Sequence, residues 1–152
     1  MCKDEAPTYP LTSRHPTFKK FRKSLAEFLN RLIASSAELG TLYSSDLLMT
    51  IQAWVIAMSS SQLRSFRHTA TVIALEIETA LCETSAAVEK EAEVITRQRE
   101  GERKRKAKGS TTEREKEFEA KAVEVKDRRT KLSEFLKEFF DGYAHFDIIR
   151  GG

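Results

Sequence analysis

The stretch MSSSQLRSFRHTATVIALEIETALC, Met58 to Cys82, decides the fold class. Leu63, Phe66, Ala70, Ile73, Ala74, Ile77 and Leu81 recur at spacings of three, four and one, the repeat of one apolar face on an α-helix. Ahead of them Ser59-Ser60-Ser61 reads as a tight turn that caps this helix, because short hydroxyl side chains satisfy the free N–H groups of a first turn. Cys82 lies on the same helix as Ile73 and Leu81, where a buried, inert thiol is expected. Nothing in the chain alternates apolar and polar residues as a half-buried strand would. The class is all-α.

Upstream the pattern occurs twice more. Pro16 suits the first turn of a helix, and Phe18, Phe21, Leu25, Phe28, Leu29, Leu32 and Ile33 form its apolar face. That register puts Phe21, Leu25 and Phe28 in the core and Lys19, Lys20, Arg22 and Lys23 toward solvent. Gly40 ends the helix. Ser44 or Ser45 is placed to cap the next one, with Asp46 in its first turn complementing the dipole. Leu47, Leu48, Ile51, Trp54, Val55 and Met58 are its expected buried face. Residues 1–15, which contain Pro7 and Pro10, read as an extended lead-in segment.

Downstream of Glu83 the apolar residues thin to Val88, Val94 and Ile95 while charge rises, consistent with a helix continuing as an exposed extension to about Lys108. Gly109 is a natural stop, and Thr112 with Glu115 fits a capping box opening the next helix. Phe118, Ala122, Val125, Arg129, Leu132, Leu136 and Phe139 then alternate steps of four and three, a heptad-like seam reaching Phe140. Folding this helix back gives the expected architecture: compact amino-terminal helices plus a long charged antiparallel helical hairpin, 83–140, within one domain of residues 16–141. Residues 142–152 are left as a tail.

Composition removes most other classes. Charged residues are 32% of the chain, and the uncharged stretch from Leu47 to Leu63 is interrupted by Gln52, Ser59, Ser60, Ser61 and Gln62, too polar and too short for a membrane span. No basic-then-apolar leader opens the chain, which argues against secretion. Two cysteines and three scattered histidines support neither a disulfide framework nor a zinc cluster. Ser59–Ser61 with His68 lacks the glycine elbow and third group of a nucleophilic site. Gly109-Ser110 lacks the rest of a phosphate loop. Glu89, Glu91 and Glu93 have no metal-ligand spacing and are expected to face solvent. The reading is not an enzyme, with no cofactor.

Charge is strongly segregated. From Ala6 to Ala26 there are five cations and no acid; from Glu27 to Ile95 nine acids outnumber four bases; from Arg97 to Lys108 seven bases face Glu100 and Glu102. Lys19, Lys20, Arg22 and Lys23 form the first basic cluster and Arg103, Lys104, Arg105, Lys106 and Lys108 the second. Several cations on one accessible surface are what a phosphate backbone requires. Neither cluster has interleaved aromatics, so base stacking on single strands is not indicated. The second cluster has the composition of a nuclear-import signal as well.

Two stretches carry a family resemblance. Tyr9-Pro10-Leu11 followed by Phe18-Lys19-Lys20-Phe21-Arg22-Lys23 and Glu27-Phe28 is one; the serine triplet with Leu63-Arg64-Ser65-Phe66-Arg67-His68-Thr69-Ala70-Thr71 is the other. Together they resemble the STAG domain of the stromal-antigen (SA/STAG) subunits of cohesin, over roughly residues 9–141. The resemblance implies a piece of a nuclear, HEAT-like helical-repeat protein that acts in sister chromatid cohesion and chromosome segregation during the cell cycle. It implies binding to the cohesin kleisin subunit and other cohesin components, and to double-stranded DNA at the backbone. Lys19, Lys20, Arg22 and Lys23 are the matching DNA contacts, with the hairpin cations as additions or as an import signal. The alternative is a helical protein-interaction module without direct DNA binding. Arg64, Arg67 and His68 either extend the basic surface or satisfy the serine turn; satisfaction of the turn is the favoured role. The family pattern departs at Gly142-Tyr143-Ala144-His145-Phe146-Asp147, so a fragment is expected, with the main kleisin surface outside it.

Overall fold

Pro16 does start a helical turn, but a 3-10 one of three residues, Pro16–Phe18, in which His15 Nδ1 accepts the Thr17 N–H at 3.3 Å. The computed structural model describes residues 9–105 and 113–150, with the side chains of 9–104, 113 and 115–142. After the turn come α1 (Phe21–Glu38), a second 3-10 turn (Thr41–Tyr43), α2 (Leu47–Ser59), α3 (Arg64–Arg105) and α4 (Glu113–Arg150). No described residue is in a strand.

The first helix therefore begins at Phe21, and its register is turned from the expected one. Leu29, Ile33 and Ser36 are buried and Leu25 and Ala37 half-buried, whereas Phe21 is 41% and Phe28 60% exposed. The aromatic stripe and the Leu29/Ile33 stripe overlap on a helical wheel, and the small residues of α3 accept the aliphatic one. Gly40, at φ +75°, takes the left-handed conformation that L side chains rarely adopt. It swings the chain so that Leu42 enters the core, fully buried.

Asp46, not a serine, precedes α2 as its first flanking residue, and no side chain caps that end. Only Leu48 and Val55 of α2 are buried, while Trp54 is 67% exposed. The serine run closes α2 more than it opens α3: Ser59 and Ser60 hydroxyls donate to the Ile56 carbonyl at 2.8 and 3.1 Å. Ser61 Oγ accepts the Leu63 N–H at 3.1 Å, and α3 starts at Arg64. Leu63 and Phe66 are exposed; Ala70, Ala74, Ile77 and Leu81 form the buried stripe, and Cys82 is exposed.

At ~1.5 Å per residue the 42 residues of α3 run about 63 Å. Arg99 pairs with Glu119 (3.2 Å), Arg128 with Glu91 (3.7 Å) and Arg129 with Glu89 (2.7 Å), so α4 returns antiparallel along it. Val88 and Ile95 of α3 with Val125, Leu132 and Phe139 of α4 continue the core into this hairpin. Arg129, expected in the seam, lies beside it and holds Glu89. Glu89, Glu91 and Glu93 are thus engaged by Arg129, Arg128 and Arg97. Gly109 and Thr112 lie outside the described residues. The helix does not stop at Phe140 but runs on to Arg150, so 142–150 continue α4 instead of forming a separate tail. Gln52 Nε2 donates to the Glu138 carbonyl at 2.9 Å, and a Cβ at Gly142 would stand 2.8 Å from that amide. The bare backbone at 142 lets α2 lie close against α4.

Candidate nucleic-acid interface

Lys19 closes the first 3-10 turn, Lys20 flanks the start of α1, and Arg22 and Lys23 are in its first turn. All four are exposed and none forms an ion pair with another described residue. No side chain caps this end of α1 and no acid lies in its first turn. Four cations therefore surround the positive end of a helix dipole that usually attracts acids. For folding this arrangement is unfavourable by a few tenths of a kcal/mol per charge; for an approaching anion, backbone and side chains act together.

The start of α3 is tied to the lead-in segment. Tyr9 Oη lies 2.8 Å from Thr69 Oγ1, 2.9 Å from His68 Nδ1 and 3.1 Å from the Ser65 carbonyl. Thr69 donates its own hydroxyl proton to that carbonyl at 2.9 Å. A fully satisfied pattern then has Tyr9 donating to Thr69 and the His68 Nδ1–H donating to Tyr9. Arg67 Nη1 donates to the Ser61 and Gln62 carbonyls at 2.9 and 3.0 Å, closing the turn before α3. Arg67 thus satisfies the turn locally, as expected, whereas His68 instead holds Tyr9 of the lead-in segment.

The second basic cluster is not part of the same patch. The Asn30 amide donates to Glu83 at 3.0 Å, and Tyr43, just past the end of α1, lies at Arg128 and near Glu91, further along α3, so α1 runs parallel to α3. Lys20, about ten residues before Asn30, is then level with about residue 73 of α3. Lys104 is roughly 45 Å further along that helix. Arg103 and Lys104 are exposed, Arg105 ends α3, and Lys106 and Lys108 lie outside the described residues.

The groove between the clusters has the wrong charge for phosphate. It holds about 340 Å³ over an alanine floor, with Glu38, Glu83 and Glu91 at its edges. Arg128 lies 5.9 Å from the Tyr43 ring centre. Burial raises the Tyr43 phenol above its ordinary pKa, Arg128 opposes that shift and Glu91 adds to it. Sequence reasoning did not find this groove, because α1 and α3 each contribute one alanine face and neither face has meaning alone. Among the described residues no three His, Cys, Asp or Glu side chains are grouped to hold a metal ion. Among the described residues no helix is long and apolar enough to cross a membrane.

A small helical bundle from which a long charged hairpin projects is the architecture of an all-α module of the helical-repeat kind. A STAG-domain family model matches residues 7–121. The chain is 42% identical over 90 residues to cohesin subunit psc3 of Schizosaccharomyces pombe, covering 59% of this chain and 9% of that protein. It is 28% identical over 139 residues to cohesin subunit SA-1 of Xenopus laevis, covering 91% and 11%, and 30% identical over 95 residues to cohesin subunit SA-3 of Mus musculus, covering 62% and 8%. The chain belongs to the STAG-domain family of cohesin SA subunits, and it spans about a tenth of the length of these relatives.

Proposed function

We propose that this chain is a non-enzymatic cohesin module that associates with chromatin in the nucleus by binding the backbone of double-stranded DNA without sequence preference. Lys19, Lys20, Arg22 and Lys23 are the primary contacts. The observation that carries the reading is their common exposure, free of carboxylate partners among the described residues, around an uncapped helix start. Arg103 and Lys104, exposed toward the far end of the hairpin, form a second contact or import surface, to which the sequence adds Arg105, Lys106 and Lys108. Partnership with other cohesin components is supported by the relatives being cohesin subunits; the kleisin is the partner that the family resemblance implies, and most of the surface for it would belong to the remainder of such longer proteins.

Titration of fluorescent duplex DNA against salt tests the reading. Four to five phosphate contacts predict a log–log slope near about −4, at ~0.9 per contact. Changing Lys19, Lys20, Arg22 and Lys23 together to glutamate should leave the helical circular-dichroism signal intact and remove most binding. The loss should be equal on unrelated duplexes, since backbone contacts carry no base information. Parent-like affinity in that variant would exclude the patch. No binding by the parent at low salt would favour the alternative, a helical protein-interaction module.

A further inference from the structure

Ser24 is exposed one residue after Lys23, and its hydroxyl makes no hydrogen bond with another described residue. Its N–H donates to the Lys20 carbonyl at 2.9 Å, the bond that closes the first turn of α1. Lys20 is thus one helical turn away on the same face, with Arg22 and Lys23 between them. Glu27, the nearest acid along the helix, is already held by Arg31 at 2.7 Å. Among the described residues the Ser24 hydroxyl is therefore uncommitted, and it stands within the basic run Lys20-Phe21-Arg22-Lys23 on α1. A kinase must draw its target into an extended form. The first turn here opens readily, because it has no side-chain cap, no acid, and cations repelled by the helix dipole.

We propose that Ser24 is a phosphorylation site for a kinase that selects basic sequences, and that its phosphate switches off the basic patch. This rests on the DNA-binding reading above for its consequence, though not for the modification itself. In the transfer Ser24 Oγ forms a bond to the γ-phosphorus of ATP, the bond to the bridging oxygen breaks, ADP leaves, and the hydroxyl proton passes to the kinase base. The product carries about −1.5 to −2 charge at neutral pH. Set within reach of Lys20 and Lys23, it offsets about two of the four cations and supplies the negative charge that this end of α1 lacks.

Two arms test this. In the first, the full chain and its Ser24→Ala variant are incubated with a basophilic kinase and ATP, beside a peptide of residues 16–31. Incorporation mapped to Ser24 and lost in the variant supports the site; no incorporation at Ser24 in the full chain, whatever the peptide does, overturns it. In the second, the full chain carrying phosphoserine at 24 is titrated with duplex DNA. Loss of about two contacts lowers the salt slope by ~1.8 and weakens binding about 60-fold at 0.1 M salt. Affinity equal to the parent overturns the switch. If the parent itself fails to bind duplex, the DNA reading and the switch fall together, while the labelling arm still decides whether Ser24 is modified.

Discussion

Tyr9 ties the lead-in segment to the start of α3 through one hydroxyl that meets Ser65, His68 and Thr69. Tyr9→Phe keeps the ring and removes that junction. It should cost about 1–2 kcal/mol, near the value of one net hydrogen bond plus the groups left unpaired, measured by urea denaturation. In α1 the two stripes give opposite expectations. Ile33→Ala empties a fully buried site and should cost about 2–5 kcal/mol. Phe28→Ala removes a mostly exposed ring and should cost about 1 kcal/mol or less. Equal losses would show that the aromatic stripe is the packed one. Glu78 has a pH signature: burial raises its carboxyl above the ordinary value. A raised carboxyl favours the protonated fold, so its contribution is present at acid pH and is lost as pH rises through the raised pKa. Glu78→Gln should therefore raise the melting temperature at neutral pH, with the gain shrinking on acidification. A constant gain at all pH values would exclude the titration of Glu78 as its cause.

At the scale of elements the helices were legible and their rotations were not. Apolar spacing marks α2, α3 and α4, because each must bury some stripe. Which stripe is buried depends on the neighbours: α2 touches α3 and α4 on one side only, so Val55 is covered and Trp54 next to it is not. The aromatic count of α1 pointed to Phe21 and Phe28, but small residues on α3 admit Leu29 and Ile33 instead. The seam spacing marks α4 only as far as Phe139, whereas the helix runs on and its Gly142 fits beneath Gln52 of α2. Along the hairpin the charges are chiefly solvated or in exposed pairs worth about 0–1 kcal/mol each. Reversing Arg103 and Lys104 to glutamate should shift the melting temperature little while weakening DNA binding or nuclear import. A large thermal shift would show that these side chains are packed.

Over the whole molecule stability should decline along the hairpin. The bundle end packs Leu29, Ile33, Leu42, Val55, Ile77 and Leu81 together, whereas beyond Val88 only Ile95 and Val125 are buried toward the tip among the described residues. Amide hydrogen exchange should accordingly be slowest around residues 70–81 and faster at 96–104 and 113–120; uniform protection would contradict this gradient. The sequence by itself determined the all-α class, the hairpin and the two basic clusters, because helical periodicity, seam spacing and charge are properties of the chain taken in order. Only the tertiary structure decided that the clusters lie about 45 Å apart, that an acidic groove separates them, that Arg67 serves the turn before α3, and that His68 holds Tyr9. Those depend on which residues distant in the chain are brought side by side: α1 runs parallel to α3 because their aliphatic and alanine faces fit, and that direction sets one cluster near each end.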